Sequence, residues 1–206
     1  MKHWPCRVSR LSSERFNLLT FLFWCSAMVI LYAHRFLFLV GLLACALSAG
    51  FFYTYSISVM PGLAVADPLS AIRAMQGINA VIRTPVFAFA FFGALLFPVA
   101  AALVSWLLRK RAEGVFAAVS AVVYAVGVIG VTFVANVPLN EALAAAAPTA
   151  ETAGTIWSAY QSPWTAWNHV RAIAAALAFA IFTAAVVLHF CSAHWQLERE
   201  LIGPPL

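Results

Sequence analysis

Long apolar stretches separated by short polar ones run through most of this chain. Four of them, about 36–58, 85–108, 115–135 and 168–191, are apolar almost throughout. Each meets the roughly 20 residues that a helix needs to cross a bilayer. None alternates in polarity as the strands of a membrane barrel do. A helix satisfies its own backbone groups in lipid, so the pattern predicts helical spans. A fifth apolar run, about 16–33, is shorter.

The segments between the spans have their own punctuation. Pro61-Gly62 predicts the end of the first span, because both residues interrupt helices. Asp67-Pro68 then opens a new helix, with Asp67 as cap and Pro68 in the first turn. From Pro68 to Ile82, apolar Leu69, Ile72, Met75, Ile78 and Ile82 recur at helical spacing opposite Arg73, Gln76 and Asn79. This predicts a short amphipathic helix on one membrane face. Pro98 falls inside the second span and is expected to kink it. The third span is rich in Gly and Ala, which suits a central helix in close contact with neighbours. It is expected to end at Asn136, before Pro138. A short helix is expected at Thr155 to Tyr160, and Trp157, Tyr160, Trp164 and Trp167 read as an interfacial aromatic belt.

Composition sharpens the class. The chain is 64% hydrophobic and 9% charged over 206 residues, with a mean hydropathy of +0.93. The expected fold is all-α: an integral membrane four-helix bundle, with the amphipathic helix between its first two spans and an extra amino-terminal hydrophobic helix. Residues 1–35 form the amino-terminal extension, 36–192 the membrane domain and 193–206 a cytoplasmic tail. The net charge of +5 comes from basic residues scattered at segment ends, so a nucleic-acid partner is not expected. Arg109-Lys110-Arg111 is the strongest topology signal, and places its loop and both core termini in the cytoplasm. The expected location is a bacterial inner membrane, with the lipid bilayer as the main partner; the sequence leaves the oligomeric state open. Lys2, Arg7, Arg10 and Arg15 oppose a span at 16–33. A signal-like segment, translation from Met28, an interfacial helix and an extra helix all stand as readings of this extension. Cys6, Cys25, Cys45 and Cys191 lack C-x-x-C spacing and read as free thiols.

Two polar clusters stand out against this apolar background: Asn136-Val137-Pro138-Leu139-Asn140 and Trp164-Thr165-Ala166-Trp167-Asn168-His169-Val170-Arg171. Polar groups beside spans line cavities or satisfy one another, and both clusters border one loop. Asn136 and Asn140 either cap helix ends or offer two amides to a substrate oxygen. Asn168 and Arg171 are three apart on one helical face, and Trp167 and Arg171 are placed for a cation–π contact. His169 is expected in the first helical turn, where the helix dipole favours the neutral ring that a general base needs; an anchoring belt of Trp, Asn, His and Arg is the alternative. His189 and His194 read as interfacial. No metal-ligand spacing such as H-x-x-x-H occurs, and neither a bound metal nor a nucleotide loop is expected.

Taken in order, Met60-Pro61-Gly62-Leu63, Met75-Gln76-x-Ile78-Asn79, Thr132-x-x-x-Asn136-Val137-Pro138-Leu139-Asn140 and Trp164-x-x-Trp167-Asn168-His169-Val170-Arg171 resemble the membrane anthrone oxygenase-like family. The likeness covers about residues 36–192. It implies a four-helix membrane protein, and by analogy with fungal relatives a cofactor-independent oxygenase that turns an anthrone into an anthraquinone. On that reading His169 is the base, and Asn136, Asn168 and Arg171 complete the catalytic set. Asn140, Asn79, Met60, Trp164 and Trp167 hold a flat, apolar, aromatic or polyketide-like substrate. The competing function is a non-catalytic membrane protein that binds a small molecule or serves as an accessory subunit.

Overall fold

A computed structural model describes residues 18–202. It is all-α, with no strand among the described residues. Seven α-helical segments follow in order: α1 (Leu18–Thr54), α2 (Met60–Ala64), α3 (Pro68–Val81), α4 (Pro85–Leu107), α5 (Arg111–Tyr124), α6 (Val137–Ala145) and α7 (Ala153–Ile202). Wider π-helical turns at Tyr55–Val59, Ala125–Gly130 and Thr132–Asn136 join some of them into continuous rods. Among the described residues, four stretches are long and apolar enough to cross a membrane: Met28–Ala64, Pro85–Leu107, Arg111–Ala145 and Ala153–Ser192. Large apolar side chains such as Leu107, Val134 and Ile173 lie exposed on them. In water such surface would drive association; in lipid it is the natural exterior, and the chain is an integral membrane protein.

Contacts divide the chain into two units, Met1–Ala33 and His34–Leu206. In the first, residues 18–33 are helical, and residues 1–17 lie outside the described residues. The expectations for the basic start at Lys2, Arg7, Arg10 and Arg15 therefore fall outside them too.

The second unit holds the bundle. Its main core joins Phe38, Phe52, Phe91, Tyr124 and Phe182 with a series of alanines. Small residues let the spans approach: a Cβ added at Gly127 would collide with Cβ of Ala174 on α7, so the third and fourth spans pack backbone to backbone. Polar ties cross the core. Tyr124 donates to the Phe91 carbonyl at 3.0 Å and lies 2.6 Å from the Ser48 hydroxyl, linking three spans. Ser120 donates to the Ala178 carbonyl at 2.8 Å, linking the third span to the fourth.

Several sequence expectations need correction. The first span does end beside Pro61-Gly62, at Ala64, but Pro61 is not itself the stop: a π turn precedes it and it sits in the first turn of α2, where its missing N–H breaks no bond. The third span does not end at Asn136, because Pro138 likewise falls in the first turn of α6 and the rod runs on to Ala145. Thr155 to Tyr160 is no separate helix. It belongs to α7, which carries Pro163 inside it. The amphipathic helix is borne out as α3, capped by Asp67, whose carboxylate accepts from the Ser70 N–H at 3.0 Å. Its apolar face, however, is covered by protein: Ala71, Ile72 and Met75 are fully buried in a second core with Met60, Leu143, Trp157, Tyr160 and Trp164.

Candidate functional site

A cavity of about 990 Å³ lies between the first span, α3, the start of α4, the third span and α7. Its walls are mainly aromatic: Phe51, Phe52, Phe87, Phe91 and Trp164. Such walls offer flat apolar area, with a few polar groups to fix orientation. The polar groups here are Gln76, Asn79, Arg83, Thr84, Thr132, Asn140, Glu141 and Arg171.

Arg171 dominates the electrostatics. It is 5% exposed, and among the described residues no carboxylate pairs with it. Its Nη2 donates to Asn168 Oδ1 at 3.0 Å and its Nη1 to Thr132 Oγ1 at 3.3 Å. The guanidinium carbon lies 4.7 Å from the centre of the Phe52 ring and 5.1 Å from that of Trp164. Aromatic faces and neutral acceptors thus hold the cation without cancelling its charge. Its Nε–H has no partner.

Asn168 positions this arginine. Its Nδ2 donates to the Phe52 carbonyl at 3.0 Å and to Ser56 Oγ at 2.9 Å, which turns Oδ1 toward Arg171. Ser56, one of these partners, stands in the π turn at Tyr55–Val59. Asn136, fully buried, donates to the Trp164 carbonyl at 3.2 Å. Asn140 accepts from Trp164 Nε1 at 2.8 Å and from the Tyr160 hydroxyl at 2.9 Å. Gln76 donates to the carbonyls of Leu143 and Ala146, pinning α3 to the end of α6. Asn79 keeps a buried amide nitrogen without a partner and lines the cavity.

The nine sequence-predicted residues therefore divide. Arg171, Asn140, Asn79 and Trp164 line the cavity. Asn136 and Asn168 stand behind it, each bonded to residues that line it. Met60 is buried in the neighbouring core and is not part of the lining. His169 and Trp167 are exposed and outside the lining. The first-turn placement of His169 is corrected: α7 starts at Ala153, so His169 sits deep within the helix. Buried Asn168 and Arg171, one residue before it and two after, show the reason for its outward aim, since residues at those spacings do not face the same way. The Trp167–Arg171 contact is replaced by Phe52 and Trp164. Trp157, Tyr160 and Trp164 are core residues instead of an interfacial belt, and His189 is fully buried. The capping roles of Asn136 and Asn140 also lapse, because both lie within a continuous rod and bond across to α7.

Sequence reasoning passed over Thr132, Gln76, Glu141 and the phenylalanine walls as site residues. Gln76 and Asn79 share the polar side of α3 at a spacing of three, a signal that was readable. The phenylalanines carried none, since they resemble any other apolar residues of a span.

No curated protein and no solved structure matches the chain. Residues 86–181, from the start of α4 into α7, match the family model described as anthrone oxygenase. That stretch contains Thr132, Asn136, Asn140, Trp164, Asn168 and Arg171, and the match is consistent with the anthrone oxygenase-like family that the motifs resemble.

Proposed function

We propose that the cavity takes up a flat, apolar, hydroxylated aromatic molecule of the anthrone class and promotes its oxidation by molecular oxygen. The observation that carries this reading is the buried Arg171: a cation without a carboxylate partner at the wall of an aromatic cavity. Such a charge favours an anion. An anthrone becomes one when its acidic methylene loses a proton, and the resulting oxyanion is electron-rich enough to reduce oxygen. One anthrone and one O2 then give one anthraquinone and one water, with two C–H hydrogens leaving in the water.

In this reading Arg171 faces the oxyanion, and Asn79 and Arg171 Nε–H supply free donors to it. Oriented donors of this kind act where charge develops, and removing one typically costs roughly 100- to 1,000-fold in rate. Asn168 and Asn136 position Arg171 and Trp164. Nothing around His169 supports a role as base, because it does not line the cavity. Glu141, which does line it, is better placed to receive the proton. The same reading puts the Arg109-Lys110-Arg111 end in the cytoplasm of a bacterial inner membrane and the cavity near the outer face.

Oxygen uptake by the purified chain in lipid nanodiscs, with a hydroxylated anthrone, tests the proposal. The parent is expected to consume oxygen and form the anthraquinone, and Arg171→Met to lose roughly 100- to 1,000-fold. Tight binding of the anthrone with no uptake above the uncatalysed rate would favour the non-catalytic binder.

A further inference from the structure

A second polar cluster lies far from the cavity, roughly 27 Å along α7 at 1.5 Å per residue. His34 of α1, Glu113 of α5 and His189 of α7 are 0%, 4% and 0% exposed. One nitrogen from each histidine and one carboxylate oxygen lie within 4.8 Å of one another. The two imidazole rings meet edge to face, with centres 4.6 Å apart.

The hydrogen bonds divide the donor atoms into used and unused. His34 Nε2 lies 3.0 Å from Ser105 Oγ, and His189 Nδ1 lies 2.8 Å from Glu113 Oε2. Glu113 Oε1 accepts from Ser192 Oγ at 2.8 Å and, more weakly, from Lys110 Nζ at 3.5 Å. Among the described residues, buried His34 Nδ1 and His189 Nε2 have no partner. Buried polar atoms nearly always have one, so the hydrogen bonds of this cluster are incomplete as it stands.

We propose that His34, His189 and Glu113 bind one divalent transition-metal ion of the zinc or iron kind. Two imidazoles and a carboxylate are a donor set for such ions. His34 has its other nitrogen engaged by Ser105, which is how ligating histidines are normally oriented. An ion between His189 Nδ1 and Glu113 would replace the hydrogen bond they now share, and Glu113 would keep its Ser192 partner. The side chains need only draw together by about an ångström, because ligand bonds to zinc are near 2.0–2.2 Å. The ion would clamp the first, third and fourth spans at the end opposite the cavity. This proposal does not rest on the oxygenase reading.

The test uses the full chain in detergent, without a polyhistidine tag, freed of metal by a chelator and titrated with Co2+. The expected result is one Co2+ per chain, with visible absorption bands and a raised melting temperature. His34→Ala and His189→Ala should lose the bands. Ser105→Ala, a milder change behind the ligand, should weaken binding by roughly 10- to 100-fold. A parent chain that takes up no stoichiometric Co2+ would overturn the proposal and leave a buried His–Glu–His hydrogen-bond network in its place. Binding that persists in both histidine variants would overturn it as well.

Discussion

At the scale of single residues, position on the helix decides which polar groups matter. Trp164, Asn168 and Arg171 fall at spacings of four and three, so all three turn inward. His169 is exposed. The sequence displayed all four together, and an expected place in the first helical turn drew His169 into the predicted site; the spacing to Arg171, two residues, argued against it. The consequence is measurable. A general base removed from its site costs roughly 100- to 10,000-fold, whereas an exposed substitution away from the chemistry typically stays within about 0.5 kcal/mol, or about twofold. His169→Ala is expected to keep oxygen uptake within about twofold of the parent. A loss in the hundredfold range would return His169 to the catalytic set. The inward role of Arg171 was legible as a buried charge beside a span, but its aromatic partners were not: Phe52 lies far away in sequence and only the packing of α1 on α7 brings it close.

At the scale of elements, the spans were legible, and so were both ends of the second and the Ala64 end of the first; the end of the third and the start of the fourth were not. Apolar length and the lack of alternation predicted four helices, and the described residues hold four such spans. Pro138 looked like a stop. Like Pro61, it sits in the first turn after a π turn, where a residue without an N–H is tolerated. A π turn inserts one extra residue and leaves no compositional mark, so apolar periodicity cannot reveal it. Yet the turns at Tyr55–Val59 and Thr132–Asn136 shape the site: Tyr55 and Thr132 both line the cavity. Such turns are frequent at functional sites. The close approach of the third span to α7 is the other element-level feature, and the small-residue pattern did foretell it. Gly127→Leu should force the two apart. Overpacking of a tight core costs about 1–3 kcal/mol, so the variant should melt at a lower temperature in detergent by circular dichroism. An unchanged melting temperature would mean that the two spans do not depend on this contact.

At the scale of the whole molecule, the bundle carries polar chemistry at two ends. One end holds an aromatic cavity with an arginine, and the other a buried His–Glu–His cluster. The first was partly legible because its polar residues gather in two short motifs. The second was not, since His34, Glu113 and His189 stand on three helices and no local spacing links them. Between the two ends the core is apolar apart from ties such as Ser48–Tyr124 and Ser120–Ala178. A cavity formed this way should work through its one buried charge, with the aromatic walls supplying contact area and Arg171 supplying selectivity for an anion, while Arg83 and Glu141 line it from exposed positions.

The affinity of a hydroxylated anthraquinone for the parent and for Arg171→Met, in the same lipid nanodiscs, tests that claim most directly. Arg171→Met keeps an unbranched apolar stem and removes the guanidinium charge. Hydrogen bonds to charged groups contribute about 1.5–3 kcal/mol, so the variant should bind the ionised ligand roughly 10- to 100-fold more weakly while a neutral anthracene of the same shape binds both equally. Equal affinity of the ionised ligand for parent and variant would contradict the account.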